Sequence, residues 1–201
     1  MSRDTAPADP IVTAGRFNRV TFEPGKMGGR ACIRGLRITV GHVLSLLAEG
    51  VAIRDLGTIV EAIGDKARTT RDTSLLSEYA RQALGRAITA PHLDEQLRLQ
   101  AITLDPSIEQ EVSTSITQTT DGEYLAMDPP RAQAIVNALR AQVDHANARS
   151  HGGRAPVVLC SARIRRHLRR LIAQAQPHLA VCSYNEIAPG INVETVGVIH
   201  A

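Results

Sequence analysis

The sequence predicts an α/β chain, α+β overall: a small β-hairpin and helical head, a helical subdomain, then a C-terminal α/β sandwich with mostly parallel strands. Three observations predict it. Beyond residue 100, short apolar runs alternate with helix-period stretches, a pattern of parallel strands joined by right-handed crossovers. Residues 41–90 repeat apolar positions at helical spacing. With no Trp, two Phe and three Tyr, the core must be Leu, Ile, Val and Ala, which suits helices packed on helices or on a sheet.

Residues 1–15, opening "MSRDTAPADP", read as a disordered leader without the apolar stretch of a secretory signal. Residues 16–50 form the head. "RVTFEP" and "ACIRGLRITV" read as short extended pieces, with a turn at Gly35. A helix follows from Gly41 to Glu49, with Val43, Leu46 and Leu47 on its apolar face and Gly50 as its stop. Residues 51–98 form the helical subdomain. Ile53, Leu56, Ile59, Val60 and Ile63 mark a helix from Ile53 to Arg68. Asp72 caps the next, whose face is Leu75, Leu76, Tyr79, Ala83, Leu84 and Ile88, and Pro91 blocks its continuation.

Residues 99–201 form the α/β subdomain. "QAITLD" is a strand, and Asp105-Pro106 opens a helix through "SIEQEVSTSI". "EYLAMD" repeats the arrangement, with Asp128 as cap and Pro129 in the first turn of a long helix facing inward through Ala132, Ile135, Val136, Leu139, Val143 and Ala146. "SHGGRA" is a loop, and "PVVLC" is a strand buried on both faces. Ser161 caps a helix carrying Ile164, Leu168, Leu171 and Ile172, which Pro177 ends. "LAVCSYNEI" and "INVETVGVI" are the last strands, joined by the turn "APG".

Charge and composition exclude several functions. Residues 1–50 carry seven Lys/Arg against four Asp/Glu, whereas residues 51–201 carry sixteen of each, so all the excess positive charge sits in the head. No apolar run approaches the roughly 18–20 residues of a membrane span. Three widely spaced cysteines contain no C-x-x-C pair, and seven scattered histidines show no ligand spacing, so no metal site is expected. The strand-to-helix turns at Asp105, Asp128 and Ser161 lack glycine, and two present a carboxylate and a proline, so no phosphate cradle is expected. Cys160 and His167 read as a core thiol and a surface imidazole rather than a nucleophile and its base. No catalytic residue and no cofactor are therefore expected.

The densest charge feature is "RIRRHLRRL", which places Arg163, Arg166, Arg169 and Arg170 opposite the apolar stripe. Such a face either stays solvated or pairs with acidic groups of another protein. With a neutral body and few aromatics for base stacking, these two readings together outweigh nucleic acid. The helices over residues 41–68 also suit a helix-turn-helix, but Asp55, Glu61 and Asp65 on the second would face phosphates.

Two resemblances join these readings. "TFEPGKMGGRACIRGLRITVGHVLSLLAEG" resembles the head of a VapB-type antitoxin-like family of unknown function, through Met27-Gly28-Gly29, Ile33-Arg34-Gly35 and Arg37-Ile38. Glu23, Ala31 and Leu36 depart from that pattern, and the family's second half has no counterpart here. Residues 45–201 resemble the C-terminal cytosolic part of the flagellar and type III secretion export-gate family (FHIPEP, of FlhA and SctV/HrcV types). The carriers are "GVAIRDLGTIVEA", "AITLDPSIEQ" and the closing "LAVCSYNEI". The resemblance implies a non-enzymatic, cytoplasmic protein at the inner face of a bacterial inner membrane. It would bind export chaperones, substrates or other apparatus subunits, and form a ring-type homo-oligomer. The family's membrane half and earlier cytosolic subdomains have no counterpart, so a fragment is expected. Partner contacts are expected on Arg163, Arg166, Arg169, Arg170, Tyr184, Asn185 and Glu186, with nucleic acid reached only through the head.

Overall fold

The structure is a computed structural model and describes residues 12–14, 17–22, 32–33, 40–67, 69–70, 72–119, 122–149 and 154–200. Residues 1–11 and 15 of the expected leader, most of the antitoxin-like motif (Met27-Gly28-Gly29, Arg34-Gly35 and Arg37-Ile38 among it) and the loop around Gly152 lie outside them, whereas residues 12–14, expected to belong to a disordered leader, form a strand. The chain divides into two compact units, Met1–Leu84 and Gly85–Ala201.

The first unit opens with an antiparallel sheet of β1 (Val12–Ala14), β2 (Phe17–Phe22) and β3 (Cys32–Ile33), in that order. Three helices follow: α1 (Val40–Ala48), α2 (Leu56–Lys66) and α3 (Thr73–Ala83), with α1 and α2 both packed on α3. Gly50 takes φ +75° and stops α1, a conformation glycine adopts without steric penalty. Helix α2 starts later than the periodicity predicts, because Asp55 accepts a hydrogen bond from Thr58 N at 3.0 Å and sets the cap there. Asp72 caps α3 as expected. Leu46, Ile59, Ile63, Leu76 and Leu84 are buried. Leu47, Leu56 and Leu75, expected to face inward, are exposed.

The second unit is built on a four-stranded, wholly parallel sheet. Its strands are β4 (Arg98–Leu104), β7 (Val157–Cys160), β8 (Val181–Ser183) and β9 (Asn192–Ile199), in the order β8-β7-β4-β9. Between β4 and β7 come α5 (Pro106–Thr114), a hairpin of β5 (Ile116–Thr119) and β6 (Gly122–Leu125), and the long α6 (Pro129–Arg149). Helix α7 (Ala162–Ile172) joins β7 to β8, and α4 (Gly85–Thr89) precedes β4.

Strand alternation sorts the apolar residues onto two faces. Ile102, Leu104, Val158, Cys160, Val181 and Ile199 face α5, α6 and α7, meeting Ile108, Val112, Ile135, Leu139, Ile164, Leu168 and Ile172. Leu99, Ala101, Val157, Leu159 and Cys182 face the other way, toward Ile88, Leu93, Ile187 and Ile191. All three long helices thus cover one face.

Three expectations are corrected. The "EYLAMD" strand does not enter the parallel sheet: it is β6, paired only with β5. The helix after Pro106 ends at Thr114, so Ile116 belongs to that hairpin. The "LAVCSYNEI" segment is strand only over Val181–Ser183. A 3-10 turn at Tyr184–Glu186 ends β8, and the chain crosses to the opposite edge before β9 begins.

Candidate protein-contact surface

Helix α7 carries the arginine run and has two unlike sides. Ile164, Leu168 and Ile172 recur every fourth residue and are fully buried. Arg165 and His167 flank that stripe and are buried with it, at 1% and 2% exposure. The surface imidazole expected at position 167 is thus a buried one. Arg165 Nε lies 3.7 Å from Glu186 Oε1, and both side chains are shut from solvent. Glu186 also accepts from Ser183 Oγ at 3.0 Å and from Ser183 N at 3.3 Å, closing a capping box around the turn after β8. The backbone of that turn lies against Gly85, where any side chain would collide with the Glu186 carbonyl.

The outer side holds the remaining cations. Arg163 and Arg170 are exposed and, among the described residues, carry no ion pair. Arg166 lies on the same line but is occupied: its Nη2 donates to Glu123 Oε2 of β6 at 2.9 Å. His167 Nε2 lies 3.5 Å from that same carboxylate. Burial and then the Arg166 charge hold the His167 imidazole below its ordinary range, against an opposing pull from Glu123. Arg169 donates through Nη2 to the Pro177 carbonyl at 2.8 Å, tying the end of α7 to the following loop. Tyr184 and Asn185 stand exposed on the 3-10 turn. Of the seven residues expected to meet a partner, Arg163, Arg170, Tyr184 and Asn185 are thus exposed, Arg166 and Arg169 are engaged within the chain, and Glu186 is internal.

Carboxylates line the C-terminal ends of the strands. Asp105 caps α5 through Ser107 N at 2.9 Å, and the Ser107 hydroxyl and amide hold its carboxyl below the usual range. Ser161 stands at the N-cap of α7, but its side chain makes no cap bond; instead its own N–H donates to Glu109 Oε1 at 2.7 Å. Acids of this chain therefore lie at both of these helix starts, Asp105 on a first-turn amide of α5 and Glu109 on the amide just before α7. Burial, then Glu109, push the Cys160 thiol well up, so it is a poor source of thiolate. Tyr184 is raised by burial and then by Glu109. Periodicity alone could not mark Arg165 as buried, since its partner lies 21 positions away and nothing local announces the pair.

Comparison with known proteins places this geometry. The FHIPEP family model matches residues 37–192. The flagellar biosynthesis protein FlhA of Bacillus subtilis is 32% identical over 166 residues, 81% of this chain and 24% of that protein. The chain thus spans about a quarter of the length of the curated relatives it matches. Among solved structures, the complex of Chlamydia pneumoniae CdsV and CdsO aligns at TM-score 0.71 and 36% identity, covering 80% of this chain and 46% of that one. The nonameric EPEC SctV-C aligns at 0.70 and 31%, covering 80% and 47%. No helix among the described residues is long and apolar enough to cross a membrane. With a family match across most of its length and a shared fold, the chain belongs to the FHIPEP family.

Proposed function

We propose that this chain is a piece of the cytosolic domain of a flagellar or type III export gate. It acts in protein secretion by binding export chaperones, substrates or neighbouring subunits, on the cytoplasmic side of the inner membrane. The observation that carries the reading is the family match over residues 37–192, joined to the parallel-sheet unit that aligns with CdsV and SctV-C. One of those relatives is a nonamer and the other was solved with a second protein, which supports binding to like and unlike partners. The contacts lie on Arg163, Arg170, Tyr184 and Asn185, while Glu186 shapes the turn from within. Binding rather than bond chemistry is the activity, in keeping with the upward-shifted Cys160 thiol.

Retention of purified export chaperones and apparatus subunits on the immobilised chain tests this. Specific retention, weakened by R163E/R170E, is expected. If none is retained while a complete gate cytosolic domain retains them, the reading fails.

The excess positive charge of the first fifty residues supports a second reading, an antitoxin-like DNA-binding regulator working through the head. A gel shift at moderate salt, lost when Lys26, Arg30, Arg34 and Arg37 become Gln, would favour it.

A further inference from the structure

We infer that the outer edge of β9 takes up an extended, lysine- or arginine-bearing segment of another protein as a fifth strand, anchored on Leu97 and Val193 between Glu95 and Glu194. This surface is separate from the exposed residues of α7, and the inference does not rest on the secretion reading.

Leu97 carries the argument. It adopts φ +58°, a conformation that leucine rarely takes, and it is 56% exposed. It belongs to neither apolar cluster of the sheet. Glycine would fit that backbone without strain. A leucine there costs the fold and adds nothing to its core, so a contact outside the chain accounts for its side chain. The turn holds it in place. Asp94 Oδ1 accepts from Gln96 N and Arg98 N, both at 2.9 Å, and Asp94 Oδ2 lies 2.7 Å from Arg98 Nε. Asn192 N donates to the Leu97 carbonyl at 3.0 Å, which fixes Leu97 beside the start of β9. An anchor positioned before binding loses little freedom on binding.

The neighbouring strand has an open side. β9 ends the sheet order and, among the described residues, pairs only with β4. Asn192 turns its amide toward β4, so alternation turns the amide and carbonyl of Val193 outward. Such groups are a template for another chain. Asn192, Val193, Glu194 and Thr195 are all exposed. The register breaks opposite Ala101–Ile102, which limits regular pairing to this first half of β9. So short an added strand needs side-chain anchors, and Leu97 and Val193 supply them. Charge selects the occupant. Glu95 and Glu194 are exposed and have no ion pair among the described residues. Arg98, the neighbouring cation, is already held by Asp94. A second β9 laid antiparallel on the first would bring like carboxylates together, whereas a basic segment pairs with both acids.

Fluorescence anisotropy tests this, with the full chain titrated into a labelled heptapeptide of alternating lysine and valine. Saturable binding is expected, and E95Q/E194Q should weaken it at least about ten-fold. Amide shifts in the spectrum of the isotope-labelled chain should centre on residues 95–97 and 192–195. Leu97→Gly suits the backbone and removes the anchor, so it melts no lower and binds less. Two further peptides separate strand addition from charge alone. One has glutamate for lysine, and the other has a central proline, which removes a strand donor; neither should bind. No saturable binding, a proline peptide that binds as tightly as its parent, shifts confined to other residues, or full binding by Leu97→Gly would each overturn the added strand. R163Q/R170Q should leave peptide binding unchanged. A chain that retains export chaperones but ignores the peptide would remove the added strand and leave the secretion reading standing.

Discussion

Arg163 and Arg165 stand two residues apart on α7 and have opposite fates. Arg165 is sealed against Glu186 beneath the turn after β8, whereas Arg163 points to solvent with no partner among the described residues. The inner cation holds an element in place; the outer one is free for another molecule. Residue type does not separate these roles. Position on the helix does, and so does the presence of a carboxylate at the matching depth.

Substitutions can break the inner side first. Glu186→Ala leaves Arg165 buried without its counter-charge and is expected to destabilise the chain by about 3–5 kcal/mol, read from denaturant midpoints. Replacing both residues with apolar ones of similar volume should recover much of that loss; a double variant as unstable as the single one would mean that the turn depends on the charges themselves. Next comes Gly85→Ala, which pushes a methyl into the Glu186 carbonyl and should destabilise by about 1–3 kcal/mol, through α4 and the same turn.

His167 sharpens the contrast through pH. Its folded value lies below the ordinary imidazole range, so the unfolded chain takes up its proton first as pH falls. The stability contributed by the neutral ring is complete above about pH 6.5 and drains as pH drops through the lower folded value. His167→Gln should therefore flatten the acid limb of a melting-temperature profile, and an unchanged slope would assign that limb to other groups. The outer side should barely respond: Arg163→Ala and Arg170→Ala are expected to shift stability by less than about 0.5 kcal/mol, while weakening partner retention.

Much of this was legible in the residues. The caps at Asp72 and Asp105, the stop at Gly50 and the buried run "PVVLC" each follow a local rule that the fold obeys. The β5–β6 hairpin was harder to read, because the helix-period run "SIEQEVSTSI" carries on into its first strand. What local pattern cannot carry is pairing at a distance. Glu109 reaching the Ser161 amide, Glu123 holding Arg166 and Glu186 matching Arg165 each join segments far apart in sequence. Hence the arginine run was visible, and its division into held and free members was not.

The placement of β9 beside β4 bears on the order in which the molecule can be made. β4 is central, yet one of its two neighbours is β9, translated some ninety residues later. During synthesis, the amide and carbonyl groups along that side of β4 must wait, solvated or shielded, while α5, α6 and α7 emerge. Closure of the sheet is thus a long-range event, and a ribosome-bound nascent chain still lacking β9 exposes a sticky central strand that chaperones would hold.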